Sequence, residues 1–129
     1  MSRCVLDASA LLALLFDEPG ANAVATALAE GEAVMSAVNY GETVARLAAV
    51  GMQDRTIRSV LEPLKVDIVP LDRPAAMAAG LLYPQTKKLG LSLGDRYCLA
   101  LAKSLNVPAM TADRAWAALK IDVSIKVIR

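Results

Sequence analysis

One short apolar run sets the topology expected for this chain: Arg3-Cys4-Val5-Leu6-Asp7-Ala8-Ser9, which stops at a carboxylate. A short apolar run beside a helical pattern is typical of a strand that is buried on both faces of a parallel sheet. In open parallel α/β sheets, ligands bind outside the carboxyl ends of the strands. We therefore expect Asp7 to be the first charged side chain at the edge of the sheet where such folds bind their ligands.

Helical patterns alternate with further apolar runs along the 129 residues. The strands predicted after the first lie at 33–35, 66–69, 107–110 and 124–128. The predicted helices lie at 10–16, capped by Ser9, and at 21–29, 37–50, 54–64, 72–83, 92–105 and 113–119. Strands that are separated by helices pair in parallel through right-handed crossovers. We therefore predict an α/β three-layer sandwich whose central, mostly parallel sheet has about five strands. Residues 1–129 would form a single domain.

The residue composition restricts the possible chemistry. The chain has no histidine, which excludes Ser-His-Asp and Cys-His catalysis and most zinc sites. Its two cysteines, Cys4 and Cys98, lie inside apolar runs, and no CxxC pair is present. Buried thiols without a disulfide framework are typical of proteins in a reducing cytoplasm.

A secretory signal is the alternative for the beginning of the sequence, because apolar residues follow Arg3 up to Phe16. Asp7 interrupts that run, and two acids and a proline follow it at once. No stretch approaches the roughly 18 consecutive apolar residues of a membrane span. We therefore expect a cytoplasmic protein with no membrane association.

Four acidic residues, Asp7, Glu42, Asp95 and Asp113, fall at predicted strand ends or in the first turns of the helices that follow. Each has an ordinary explanation. Asp7 and Asp113 would cap helices, and Asp95 would complete a capping box. Glu42 would pair with Arg46 one turn later on a solvated face.

Together the four acids favour a metal site. Strand ends of one polarity open onto the same edge of a parallel sheet, so these carboxylates would converge and repel one another. Mg²⁺ or Mn²⁺ compensates such a cluster, since hard cations take oxygen ligands. The spacing therefore favours a metal-dependent phosphodiesterase. Ser9, Asn39 and Thr111 are candidate supporting groups, although each would also serve as an ordinary cap or turn residue.

Four basic residues lie next to the predicted site and would suit a polyanionic substrate: Lys87, Lys88, Arg96 and Arg114. Loop charges are usually solvated without any such role. Lys87 and Lys88 fall in the loop that is predicted after Pro84.

Four stretches resemble the motifs of the PIN-domain family, in the same order along the chain. They are Val5-Leu6-Asp7-Ala8-Ser9 with the following helix and Glu18-Pro19-Gly20, Ser36-Ala37-Val38-Asn39-Tyr40-Gly41-Glu42, Leu91-Ser92-Leu93-Gly94-Asp95-Arg96-Tyr97-Cys98-Leu99-Ala100, and Thr111-Ala112-Asp113-Arg114-Ala115-Trp116. The resemblance spans essentially the whole chain. The chain length is also similar to that of the VapC toxins of type II toxin–antitoxin pairs.

This resemblance implies an endoribonuclease that depends on Mg²⁺ or Mn²⁺ and cuts transfer or ribosomal RNA. It implies a cognate VapB-type antitoxin that blocks the acidic pocket, and a homodimer. By motif, Asp7, Glu42, Asp95 and Asp113 would be the catalytic, metal-binding acids, and Ser9 and Thr111 would be supporting polar groups. Metal-activated water would attack an RNA phosphodiester in line and leave a 5′-phosphate and a 3′-hydroxyl.

Two other classes of protein remain open. A receiver-like phosphoacceptor domain is also a small parallel α/β fold, but it needs an acid after its third strand, where this chain has Pro70. A non-catalytic PIN-fold protein that only binds RNA or a partner is the second alternative, and the loss of one of the four acids would indicate it. All four are present.

Overall fold

A parallel sheet of five strands organises the computed structural model, which describes residues 3–129. Its strands are β1 (Cys4–Leu6), β2 (Ala33–Ser36), β3 (Asp67–Val69), β4 (Ala109–Thr111) and β5 (Ile125–Val127). They lie side by side in the order β3-β2-β1-β4-β5, and every neighbouring pair is parallel. The predicted fold class is confirmed, with β1 in the centre of the sheet.

Helices cover both faces of this sheet. They are α1 (Ala8–Leu15), α2 (Ala21–Ala29), α3 (Ala37–Ala49), α4 (Asp54–Leu61), α5 (Arg73–Leu81), α6 (Tyr83–Thr86) and α7 (Leu93–Leu105), with 3₁₀ helices at Lys87–Leu89 and Arg114–Ala118. Within residues 3–129, none of the helices has the length and apolar character needed to cross a membrane.

The side chains of β1 show how the three layers form. Successive residues of a strand point to opposite faces of the sheet. Leu6 is fully buried in a cluster with Leu11 of α1 and Leu47 of α3. Its neighbour Val5 is fully buried on the other face, in a cluster with Leu99 of α7. The central strand is therefore covered on both faces, as its continuous apolar run indicates.

Two local predictions are wrong. Helix α1 begins at Ala8, and its cap is Asp7 rather than Ser9, because the Asp7 carboxylate accepts a hydrogen bond from the amide of Ala10 at 2.8 Å. The loop predicted after Pro84 is helical, since proline suits the first turn of a helix. It lies there in α6, and Lys87 and Lys88 follow in a 3₁₀ helix.

Candidate active site

All four predicted acids line one cavity of about 430 Å³ at the carboxyl edge of the sheet. Asp7 directly follows β1 and Asp113 follows β4, while Glu42 and Asp95 lie on α3 and α7. The convergence predicted from the strand ends is therefore present in the structure. A fifth carboxylate, Glu18 from the segment between α1 and α2, lines the same cavity.

The pairing of β1 with β4 places Asp7 beside two hydroxyl groups. The Asp7 amide donates to the carbonyl oxygen of Met110 at 3.1 Å, which brings Thr111 alongside. The Thr111 hydroxyl donates to Asp7 Oδ2 at 2.6 Å, and Ser9 Oγ lies 2.7 Å from Asp7 Oδ1. Ser9 Oγ also accepts the amide of Ala112 at 2.9 Å. Ser9 and Thr111 thus fix the Asp7 carboxylate, which is only 3% exposed.

Asn39 holds the opposite wall of the cavity together. Its buried amide nitrogen Nδ2 donates to Glu42 Oε1 at 2.8 Å and to the carbonyl oxygen of Gly94 at 2.9 Å. Its Oδ1 accepts from the Ser36 hydroxyl at 2.7 Å. Asn39 therefore orients Glu42 and ties α3 to the first turn of α7, which carries Asp95.

Gly94 makes room for the Glu42 carboxylate. A Cβ atom at position 94 would lie 2.6 Å from Glu42 Cδ, closer than such atoms approach one another. The absence of a side chain at position 94 therefore lets Glu42 lie against the start of α7.

The ordinary explanations hold for three of the four acids. Asp7 and Asp113 cap the helical segments that follow them, through Ala10 and Ala115 respectively. Asp95 Oδ2 accepts the amide of Ser92 at 2.9 Å and completes a capping box. Capping engages these carboxylates and does not exclude a second role, since each of them also lines the cavity.

The ion pair predicted between Glu42 and Arg46 is not among those formed by residues 3–129. Glu42 is held by Asn39 instead. Arg46 lines the cavity one turn further along α3.

Burial and neighbouring charge both act on the carboxyl group of Asp7. The pKa of Asp7 is raised from 3.8 to about 6. Burial is the largest cause and the charge of Asp95 adds to it, while hydrogen bonds from Thr111, Ala10 and Ser9 lower the pKa. Behind the site, burial raises the pKa of the Cys98 thiol well above its usual value, and the charges of the nearby carboxylates add to that shift. The cavity therefore concentrates negative charge that is only partly solvated.

The donor set fits a hard divalent cation. The cavity offers carboxylate and hydroxyl oxygens, and the chain has no histidine. Across the described part of the chain, no three acidic or thiol groups are gathered closely enough to hold an ion by themselves. This arrangement suits Mg²⁺, which usually keeps several waters and binds through one or two carboxylates.

The predicted substrate-binding residues lie outside the cavity lining, which contains none of Lys87, Lys88, Arg96 and Arg114. The Arg96 guanidinium lies over the ring of Tyr83, 5.2 Å from its centroid. The role of these four basic residues in substrate binding stays a prediction.

Sequence reasoning missed Glu18, Arg46 and Arg129 as residues of the cavity. Arg129 follows β5, so the rule that placed Asp7 and Asp113 at strand ends applies to it equally. Glu18 belongs to one of the family motifs but carries no separate signal, and Arg46 is indicated only by its spacing from Glu42.

The buried charge of Asp7 should make the metal-free protein less stable as the pH rises. An acid whose pKa is raised on folding contributes stability below its unfolded pKa, 3.8, and that contribution is lost as the pH rises through about 6. The loss would reach about 3 kcal/mol at most. We expect Asp7→Asn, which keeps a capping oxygen, to show a smaller loss over this range.

Urea unfolding in EDTA at a series of pH values measures this difference. Addition of Mg²⁺ should restore stability to the parent above pH 6 and have little effect on Asp7→Asn. Identical pH profiles for the parent and the variant would contradict the expected cost of the charge.

Known proteins are similar to this chain in sequence and in fold. The model of the PIN-domain family matches residues 4–121. Ribonuclease VapC of Mycolicibacterium smegmatis is 34% identical over 121 residues, which cover 87% of this chain and 92% of that protein.

Solved structures match the fold across nearly the whole chain. A DNA-bound VapBC from Salmonella typhimurium superposes with a TM-score of 0.74 at 13% identity, with 100% of both chains covered. A toxin–antitoxin complex from Klebsiella pneumoniae gives a TM-score of 0.68 at 19% identity and covers 91% of this chain and 92% of its own. With the family match over residues 4–121, the resemblance carried by the four motifs is confirmed, and the chain belongs to the PIN-domain family.

Proposed function

We propose that this protein is the toxin of a type II toxin–antitoxin pair and acts as an endoribonuclease that depends on Mg²⁺ or Mn²⁺. The observation that carries the proposal is the cavity lined by Asp7, Glu42, Asp95 and Asp113. The 34% identity to a protein named Ribonuclease VapC also supports the proposal. The substrate class would be structured RNA, transfer or ribosomal, in the cytoplasm.

Asp7, Glu42, Asp95 and Asp113 would hold the cation, one or two of them through direct contact and the others through the water molecules that Mg²⁺ keeps. When bound, it would activate water and neutralise charge on the phosphodiester. Ser9 and Thr111 keep the Asp7 carboxylate in one orientation, since both lie within hydrogen-bonding distance of it. Asn39 does the same for Glu42. Preorganised ligands of this kind avoid a reorganisation cost when substrate binds.

A VapB-type antitoxin would be the cognate partner. Several structural neighbours of this chain are VapBC or toxin–antitoxin complexes. An antitoxin segment that carries a basic side chain would find a complementary surface in the acidic cavity. We also retain the homodimer as a proposal. Exposed apolar side chains on α5 and α6, namely Met77, Leu81 and Tyr83, offer a surface for it.

The structure argues against the receiver-like alternative. Receiver domains have the strand order 2-1-3-4-5, whereas this sheet has the order 3-2-1-4-5. Val69 ends β3 and is followed by Pro70 rather than by an acid. The non-catalytic PIN-fold binder remains the second candidate, and nothing in the cavity favours it.

Asp95→Asn should abolish RNA cleavage while the protein stays folded. An asparagine oxygen can still accept the amide of Ser92, so the capping box is retained and only the charge is lost. We expect discrete fragments with 5′-phosphate ends from total RNA with Mg²⁺ or Mn²⁺, none with EDTA, and a loss of at least about a hundredfold in the variant.

Asp122→Asn is the matched control, because Asp122 is an exposed acid away from the cavity. Cleavage that survives both EDTA and Asp95→Asn would contradict the proposal, as would products with 2′,3′-cyclic phosphate ends. A folded parent that binds RNA but cuts none of it under any metal condition would favour the non-catalytic binder.

Gly94→Ala should impair cleavage without unfolding the protein. The added Cβ would displace the Glu42 carboxylate, the mobile end of an exposed side chain, whereas alanine suits the helix better than glycine. Misplacing a reacting group by about 1 Å costs roughly a hundredfold in rate. We expect a cleavage rate lowered about tenfold to a hundredfold and a melting temperature that is unchanged or raised.

The control is Gly41→Ala, the same substitution in α3 beside Glu42, where a Cβ would meet no atom within 4 Å. It should retain parental activity. Equal activity of the two variants would show that the position of Glu42 over Gly94 does not matter to the reaction.

A further inference from the structure

Two arginines from different elements of the fold line the acidic cavity. Arg46 lies on α3, which follows β2, and Arg129 follows β5. In the sheet, β1 and β4 lie between these two strands and carry Asp7 and Asp113 at their ends. The carboxylates of the cavity therefore share it with one arginine from α3 and one from the end of β5.

Arg129 is held in place by two contacts. Its Nε donates to the carbonyl oxygen of Ala112 at 3.3 Å, and its Nη1 lies 3.4 Å from Glu18 Oε1. Arg114 Nε in turn donates to the main-chain oxygen of Arg129 at 3.2 Å. A guanidinium has five N–H donors in a fixed fork. Two of them are engaged here, so the group is oriented and still has donors for a ligand.

Arg46 has a different setting. It is exposed on α3 one turn after Glu42, and no ion pair within residues 3–129 includes it. Its position in the last turn of α3 gives it an ordinary role at the helix C-terminus. That role would not require the side chain to lie along the cavity, where Arg46 is one of the lining residues.

A strand of nucleic acid needs cations at this cavity. Its phosphates would be repelled by the carboxylates, and a cation held by those carboxylates would compensate only the phosphate that reacts. The neighbouring phosphates need charge of their own, and arginine binds phosphate oxygens through paired N–H donors.

We propose that Arg46 and Arg129 bind backbone phosphates on the two sides of the scissile phosphate, so that the RNA strand crosses the cavity from α3 to the end of β5. The inference rests on the proposed function, because it assigns a path to the substrate of that same site. Neither residue would contribute to the chemical step. Both would act through binding.

RNA binding by a protein that does not cleave tests this path. The parent is the Asp95→Asn variant in EDTA, and the probe is a fluorescein-labelled single-stranded RNA of mixed sequence, followed by fluorescence anisotropy over a range of salt concentrations. Each phosphate contact on a single strand contributes about 0.7 to the slope of log K against log salt. We expect Arg46→Gln and Arg129→Gln each to weaken binding roughly fivefold to tenfold and to lower that slope by about 0.7.

Matched variants separate binding from structure. Arg46→Lys should keep the salt slope, because the charge remains. Arg55→Gln removes the same charge from an exposed site on α4 outside the cavity and should leave the slope unchanged. For Arg129, a lower melting temperature with an unchanged slope would overturn the assignment and leave only its structural contacts to Glu18 and Ala112.

The outcomes also distinguish this inference from the proposed nuclease. An unchanged affinity and slope in Arg46→Gln would overturn the inference even if the wild-type protein cleaves RNA. If the wild-type protein does not cleave RNA but both arginine variants bind RNA more weakly as expected, the proposed nuclease is contradicted and the phosphate contacts are supported.

Discussion

The burial of the Asp7 carboxylate is the constraint that shapes the centre of this structure. A carboxylate that is 3% exposed loses most of its hydration, and the loss must be offset by hydrogen bonds. Three neighbours supply them: the amide of Ala10 and the hydroxyls of Ser9 and Thr111. These three hydrogen bonds do not return the pKa of Asp7 to its ordinary value, since the pKa is still about 6, with burial as the largest cause. The site therefore retains an electrostatic cost that a bound cation would relieve.

Two of these neighbours, Ser9 and Thr111, connect distant parts of the chain. Ser9 Oγ accepts the amide of Ala112, and Thr111 Oγ1 accepts the amide of Asp113. The segment after β4 is thereby held against the start of α1, although more than a hundred residues separate them. Parallel pairing of β1 with β4 is what makes this possible, since it brings two strand ends to the same edge. The geometry of Asp113 thus depends on the contacts of Asp7.

The sequence was sufficient to predict the fold and the convergence of the four acids on one cavity, because both follow from patterns of few residues. Short apolar runs that lie between segments with a helical pattern predict parallel strands. An acid directly after such a run lies at the edge where the strands end. The cap of α1 was mispredicted because Asp7 and Ser9 both suit that position, and the choice depends on which hydroxyls face the carboxylate in three dimensions. The strand-end pattern indicates Arg129 as well as Asp113, since each follows a strand. The orientation of its guanidinium depends on contacts with Glu18 and Ala112 that no local pattern encodes.

Stability and chemistry use the same atoms in this cavity. Asp95 closes a capping box, and Asp7 and Asp113 cap the segments that follow them, so these acids would be retained for folding even in a protein without activity. Glu42 is the exception. It caps nothing, its expected ion pair with Arg46 is absent from the described residues, and its carboxylate lies where only a glycine at position 94 leaves room. The buried side chain of Asn39 donates a hydrogen bond to the Glu42 carboxylate and orients it. That hydrogen bond is the one structural role of this carboxylate among the contacts described, so Glu42 is the acid that folding engages least and whose placement argues most directly for a ligand in the cavity.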